Sequence, residues 1–475
     1  MNEQFRVTQK IGLMFRPGTA IPKDIKSWAI TQLNAKSPAL GISKSMPKSQ
    51  VMPWPKSLQS DLKGRSDKLI RAAEVETIAN RMENKTEAHK LINKSDFENY
   101  MGNNDHLKFN HRNIYGKDQV RLRFLTFWAN HFTVAPVGDT TDQLVGSHIE
   151  DALLPNLNSS FSDMLYAAIS HPGMLYYLDN AFSSGDKLND NLGRELLELH
   201  TVSPTANYTE NDIKNAAYVL SGWGYDTAKN KNYMGSFLQS KHRPGSKTVL
   251  GKTIQSGKEG LRQLTDSLAN NSYAISFITK KLAEHFISEN PSKSDINHIA
   301  NAWKQSNGSL DQIHTAVIER AIDTKSPKFQ WPMNWLFQVI RLSDATYIHG
   351  WDEIAGSCNH CNGNPKNDGS RKYPFMQNKE IFLELGQSFW HSRQPNGFSN
   401  NKESWISGEM FDRRIKFAEA IFNAGNPQFG ANQIMDRIGA HQSTRKLVNS
   451  VGDTNEKNRF IALMCSPELM GLEYA

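Results

Sequence analysis

Apolar positions along most of the chain recur every three or four residues, the period of an α-helix that buries one face. Ile25, Trp28, Ala29 and Leu33 make the first such stripe, just after Pro22. Residues 119–132 carry Leu122, Phe124, Leu125, Phe127, Trp128 and His131 around a second. Helices are predicted next over 144–154, 161–170, 174–179 and 188–202. Thr209-Glu-Asn-Asp212 has the form of a capping box and opens a helix bearing Ile213, Ala216, Ala217 and Leu220. Further helices are predicted over 260–268, 273–288, 295–305, 310–322, 332–342, 378–387, 405–424, 431–439 and 455–464. Residues 223–256 lose the helical period and predict strands or irregular structure. With no repeat and no alternation of strand and helix, the pattern gives a mainly α, multi-helix globular fold with one short irregular or β region near 223–256.

The stretches without periodicity suggest how the chain is divided. SMPKSQVMPWPKS, rich in Pro and Lys, reads as a connector after the N-terminal helix. Residues 58–93 suit a long exposed helix, 105–115 a loop, and 349–374 a long polar lid or binding loop. The expected organisation is an N-terminal helix and connector (1–57), a helical core with the motif-bearing helices (58–345), and a loop with C-terminal helices packed on that core (346–475).

Composition narrows the class. Hydrophobic residues make up 38% of 475 and aromatics 10%, enough to build a core and to argue against wholesale disorder. A mean hydropathy of −0.57 and no apolar run near the ~20 residues of a membrane helix predict no membrane span. The opening MNEQFRVTQKIGLMFRPG has only Ile11 to Phe15 as an apolar stretch, too short for a secretory core. On that reading the chain stays in the cytoplasm, or begins downstream of a removed signal and works in the periplasm or outside the cell. The net charge of +7 is mild, and no helix-turn-helix, ribonucleoprotein or zinc-finger signature accompanies it, so nucleic acid is not expected as a partner. Cys358-Asn-His-Cys361, with His349 and His360 nearby, offers two thiols but no second knuckle, and Cys465 stands apart, so a closed zinc site is not expected.

The candidate chemistry centres on Asn191-Leu-Gly-Arg-Glu-Leu-Leu-Glu-Leu-His200. At roughly 100° per residue, Asn191, Arg194, Glu195 and Glu198 share an arc about 100° wide, and the leucines and His200 take the other side. Such a face can place a metal between Glu195 and Glu198, or hold one carboxylate as a general base beside Arg194. A solvated amphipathic face would carry the same pattern. In Phe127-Trp-Ala-Asn-His-Phe132, His131 lies one turn from Trp128, where partial desolvation would suit a neutral ligand or base, or simply a core residue. Lys241-His-Arg-Pro-Gly-Ser-Lys247 could meet an anion but is not a phosphate loop, and His285 falls on the apolar face of its helix. GxSxG, HExxH, GxGxxG and EF-hand patterns are all missing.

NDNLGRELLELHTVSPTANYTENDIKNAAYVLSGW resembles the signature of the domain-of-unknown-function 1800 family of bacterial proteins, through Asn191, Arg194, Glu195, Glu198, His200, Tyr208, Thr209, Asp212, Gly222 and Trp223. Phe127-Trp128 with Asn130-His131-Phe132, His171-Pro172 with Met174 to Asp179, Lys247-Thr-Val-Leu-Gly251, Lys281-Leu282 with His285-Phe286, and Gln394-Pro-Asn-Gly397 extend it over about residues 10–470. Ser221 replaces the commoner Thr before Gly-Trp. The resemblance implies a helical protein with no assigned activity, from a family often exported and often encoded beside a sulfatase-like family. Two readings follow. The first is an enzyme with a polar Glu/His site. In it Glu195, Glu198, Arg194 and His131 do the chemistry, and Trp128, Asn130, His242, Lys281 and Trp223 bind substrate. A divalent metal ion on Glu195, Glu198, His131 and His200 is the candidate cofactor. The alternative is a non-catalytic partner or assembly factor for a sulfatase-like protein.

Overall fold

The computed structural model describes residues 1–35, 109–135 apart from 111, 144–224, 236–345, 382–387 apart from 383, 392, 394–452 and 455–474. The connector, the predicted 58–93 helix, half of the predicted 378–387 helix and the 349–374 loop with Cys358 and Cys361 lie outside these residues. Within them the chain is mainly α, with two small antiparallel pairs: Trp223–Gly224 against Ser236–Phe237, and Lys247–Val249 against Lys252–Ile254. Both pairs fall in the region that broke the helical period. No helix among the described residues is long and apolar enough to cross a membrane.

Helix Gln119–His131 sits at the centre, with all 13 of its residues buried. A helix closed in on every side must find partners inside the protein for its polar side chains. Gln119 accepts from the Leu13 amide at 2.6 Å, and Arg123 donates to the Lys10 carbonyl at 3.0 Å. Arg121 donates to the Leu33 and Leu154 carbonyls. These bonds lash the N-terminal helices Glu3–Ile11 and Ile25–Leu33 onto it. The C-terminal helices are drawn in by similar contacts: Gln9 donates to the Glu468 carbonyl, and the Asn2 amide to that of Ile438.

Three local differences from the sequence expectation have physical causes. Helix Glu3–Ile11 went unpredicted because it buries Thr8, Gln9 and Lys10 along with its apolar residues, which blurs the stripe. Residues 112–115, expected as loop, form a helical turn whose C-terminal side is held by Arg341, which donates to the Asn113 and Ile114 carbonyls. The expected 144–154 helix widens to π geometry over His148–Leu153.

The predicted 188–202 helix shortens to Asn191–Glu198 and packs on Glu210–Leu220, the helix opened by the Thr209/Asp212 capping box. Gly193 makes the crossing tight. A Cβ there would lie 2.8 Å from the Ala217 nitrogen and 3.0 Å from the Ile213 carbonyl oxygen. Gly193→Ala should therefore force the two helices apart and cost about 1–3 kcal/mol. Urea unfolding checks this, since an unchanged midpoint would mean the helices slide without penalty.

Candidate functional site

Burial divides the Asn191–Glu198 helix as its spacing does. Leu192, Gly193, Leu196 and Leu197 are buried, while Asn191, Arg194, Glu195 and Glu198 are partly exposed. Arg194 forks onto Glu210 at the start of the next helix, with bonds of 3.1 and 2.9 Å, and passes 3.6 Å from Asp190. Glu198 accepts from the Tyr208 hydroxyl at 3.2 Å. The Glu195 carboxylate has no hydrogen-bond partner among the described residues. Partial burial raises its pKa, the Glu198 charge raises it further, and Arg194 only partly offsets the two. Tyr177 stands beside it, its phenol pushed up to about 12 by burial and then by the Glu195 charge. Tyr208 rises to about 12 through burial and Glu198.

A cleft of about 530 Å³ opens at the N-terminal end of this helix, lined by Asp179, Phe182, Lys187, Leu188, Asn189 and Asp190, the last of which lies 3.6 Å from Arg194. Asp190 immediately precedes the helix that carries Glu195, and Asp179 follows Tyr177 by two residues. Phe182 is 68% exposed in its wall and meets Tyr176 edge-on at 5.7 Å.

The histidines lie on the other side of the helix. His131 ends the central helix and His200 follows the Asn191–Glu198 helix, and each ring bonds the other's carbonyl. His131 Nε2 lies 3.1 Å from the His200 oxygen, and His200 Nδ1 lies 3.0 Å from the His131 oxygen. A carbonyl only accepts, so both ring nitrogens carry protons. His131 Nδ1 is then left with a lone pair, which accepts from the Lys281 ammonium at 3.1 Å. Burial, then the Lys281 charge, lowers both imidazoles, His200 to about 3, and burial lowers Lys281 to about 8. The arrangement staples two helix C-termini together.

The other predicted residues are also engaged. Trp128 donates its indole N–H to His314 Nε2 at 2.9 Å. Asn130 clamps the loop ahead of it, donating to the Phe398 carbonyl at 3.0 Å and accepting from the Phe398 amide at 2.7 Å. His242 pins three segments, since Nδ1–H donates to the Ser221 carbonyl at 2.8 Å and Nε2 accepts from the Gly257 amide at 2.9 Å. Trp223 is buried between Tyr166 and Phe237. The structure thus brings Arg194, Glu195 and Glu198 together on one face, and His131, His200 and Lys281 together on the other. Among the described residues no three His, Cys, Asp or Glu side chains converge to hold a metal ion. Tyr177, Tyr208 and Glu210 were not singled out as site residues. Tyr208 precedes the helix cap and Tyr177 lies in the His-Pro block, but only the chain's return past the helix makes them neighbours of its carboxylates.

Five of the buried histidines among the described residues give the fold an acid limit. Burial is the first cause that lowers each of them: His131 and His285 fall well below the ordinary value, His148 goes to about 4, and His200 and His314 to about 3. The unfolded chain takes up these protons near pH 6.5 and the folded chain does not. Stability is therefore full above that pH and is lost as pH falls below it, at roughly 1 kcal/mol per histidine per pH unit. Urea midpoints should drop steeply from pH 7 to 5.5, and less steeply in His314→Gln. A flat profile would count against neutral burial of the group.

The family described as protein of unknown function (DUF1800) matches residues 22–470, the stretch that holds the central helix, both faces of the Asn191–Glu198 helix and the C-terminal helices. No curated protein and no solved structure matches the chain. The chain therefore belongs to the DUF1800 family.

Proposed function

We propose that the chain is an enzyme whose acid/base centre is the face formed by Glu195, Glu198, Tyr177 and Tyr208, with Glu195 as the proton carrier. One observation carries the reading: of the three charged side chains Arg194, Glu195 and Glu198, only that of Glu195 has no partner among the described residues. Arg194 is held by Glu210 and Glu198 by Tyr208. A partly buried carboxylate beside a second carboxylate holds its proton to a higher pH than an ordinary one, which favours its exchanging a proton with a bound substrate. The adjacent cleft, with Lys187, Asp179 and Asp190 in its walls, suits a polar substrate carrying both donors and acceptors. A divalent ion on the same carboxylates has less support, because His131 and His200 are committed to each other.

The test is a panel of chromogenic esters, phosphomonoesters, sulfate esters, glycosides and amides offered to the purified protein. Turnover of one class is expected, with Glu195→Gln lowering kcat by about 10²–10⁴ while circular dichroism stays unchanged. Turnover undiminished in Glu195→Gln, or turnover of none of these classes by the native chain, would overturn the proposal.

The same residue has a stability signature. Because its folded pKa is raised, the stability tied to its proton is present at low pH and lost as pH rises through the folded value. Glu195→Gln should raise Tm at pH 8 by about 1 °C, a small shift because the group is half exposed, and by less at pH 4. Thermal unfolding of both proteins at the two pH values checks the sign.

A further inference from the structure

The segment between the Pro172–Tyr177 helix and the Asn191–Glu198 helix holds an aromatic ring in the open. Phe182 closes the short helical turn Asn180–Phe182 and is 68% exposed. The turn is fixed from below, where buried Asn180 donates to the Trp223 carbonyl at 2.8 Å and the Leu220 carbonyl at 3.2 Å. After the ring, the Ser183 hydroxyl accepts from the Asn189 amide at 3.0 Å, and Asn189 Oδ1 accepts from the Asn191 amide at 3.0 Å. These bonds tie the segment to the start of the helix that carries Glu195. Leaving a phenyl ring in water forfeits about 1.5–3 kcal/mol that burial would return, so a ring held out by its own backbone is available to a ligand.

The ring is a wall of the 530 Å³ cleft, a volume within the roughly 300–1,000 Å³ of small-molecule sites. Both kinds of polar group stand around it. Asp179 is held by a left-handed backbone, φ +59°, and its carboxylate has no partner among the described residues. The Lys187 ammonium and the Asn189 amide nitrogen have none among them either. Tyr176 meets the Phe182 ring edge-on at 5.7 Å, which covers one face of it at most. Tyr177, next in the chain, lies close enough to Glu195 to feel its charge, so the ring and the carboxylate share one support.

We propose that this cleft binds a neutral oligosaccharide, which names the substrate class of the Glu195 face and, as a substrate site, rests on that reading. A sugar hydroxyl donates and accepts at once, while the ring carbons offer an apolar C–H face. Carboxylate acceptors with amide and ammonium donors around an exposed phenyl ring match both halves. Other chemistries fit less well. A phosphate or sulfate group would meet the carboxylates of Asp179 and Asp190, an organic cation would meet Lys187, and a wholly apolar group would leave the polar walls without partners. Asp190 to Glu195 is five residues, about 7.5 Å of helical rise, so a ligand seated on Phe182 has to extend along the helix to reach the carboxylate. That calls for several linked sugars rather than one.

Isothermal titration calorimetry of the full chain with neutral hexasaccharides of glucose, xylose, mannose and N-acetylglucosamine tests this, with hexagalacturonate as the charged comparison. At least one neutral hexamer is expected to bind, and more tightly than hexagalacturonate. Phe182→Ala, at an exposed position that the fold does not need, should weaken it about tenfold or more. Asp179→Asn, which tolerates the same left-handed backbone, should weaken it by about three- to tenfold. Binding of no neutral hexamer, tighter binding of hexagalacturonate, or binding undiminished in Phe182→Ala would overturn the proposal. Glu195→Gln keeps the cleft and should still bind. A hexamer bound through Phe182 but turned over equally by Glu195→Gln therefore sinks the acid/base centre and leaves the saccharide site standing. Turnover of an ester or amide that depends on Glu195, with no saccharide bound, sinks the saccharide site alone.

Discussion

Helix Gln119–His131 is closed in on all sides yet carries Gln119, Arg121, Arg123, Asn130 and His131, and the segments around it are placed by the bonds these side chains make. Desolvating a polar side chain costs free energy unless a partner replaces the lost water, so each of these residues fixes the position of another segment. Gln119 places Leu13, Arg123 places Lys10, Arg121 places Leu33 and Leu154, and Asn130 places Phe398. Segments more than a hundred residues apart in sequence are held through one helix. An apolar helix of the same length would let its neighbours settle in several registers; these directional bonds select one.

The His131–His200 pair is where this constraint reaches the candidate site. By joining the end of the central helix to the end of the Asn191–Glu198 helix, it fixes the rotation of the latter. Gly193 then sets its closeness to the Glu210–Leu220 helix. With rotation and distance fixed, Arg194, Glu195 and Glu198 turn toward Tyr177, Tyr208 and Glu210. The histidines that look like chemistry in the sequence thus position a face they do not belong to.

Much of the architecture could be read from the sequence because helical periodicity reports burial, and burial is what the helices share. The Thr209/Asp212 capping box and the 223–256 break were legible for the same local reason. Helix Glu3–Ile11 was not, since its buried face includes Lys10 and Gln9, whose partners at Thr324 and Glu468 lie hundreds of residues away. The site divides likewise. Spacing separated Glu195 and Glu198 from His200, but whether a histidine is a ligand or a staple depends on which carbonyl its ring meets. That information resides in the packing of two distant segments.

The staple also bears on how two cations are met. His131 and Leu199 stand at helix C-termini, where the aligned peptide dipoles leave partial negative charge, and Lys281 brings its ammonium to that junction. The Glu284 carboxylate adds its own favourable charge to this cation. Arg123 lies a little over two turns before the end of the same helix, beyond the last turn, where such end effects have faded. Two cations near one helix thus meet different fields: Lys281 sits at the helix end with the Glu284 charge near it, and Arg123 donates to the Lys10 carbonyl from within the helix.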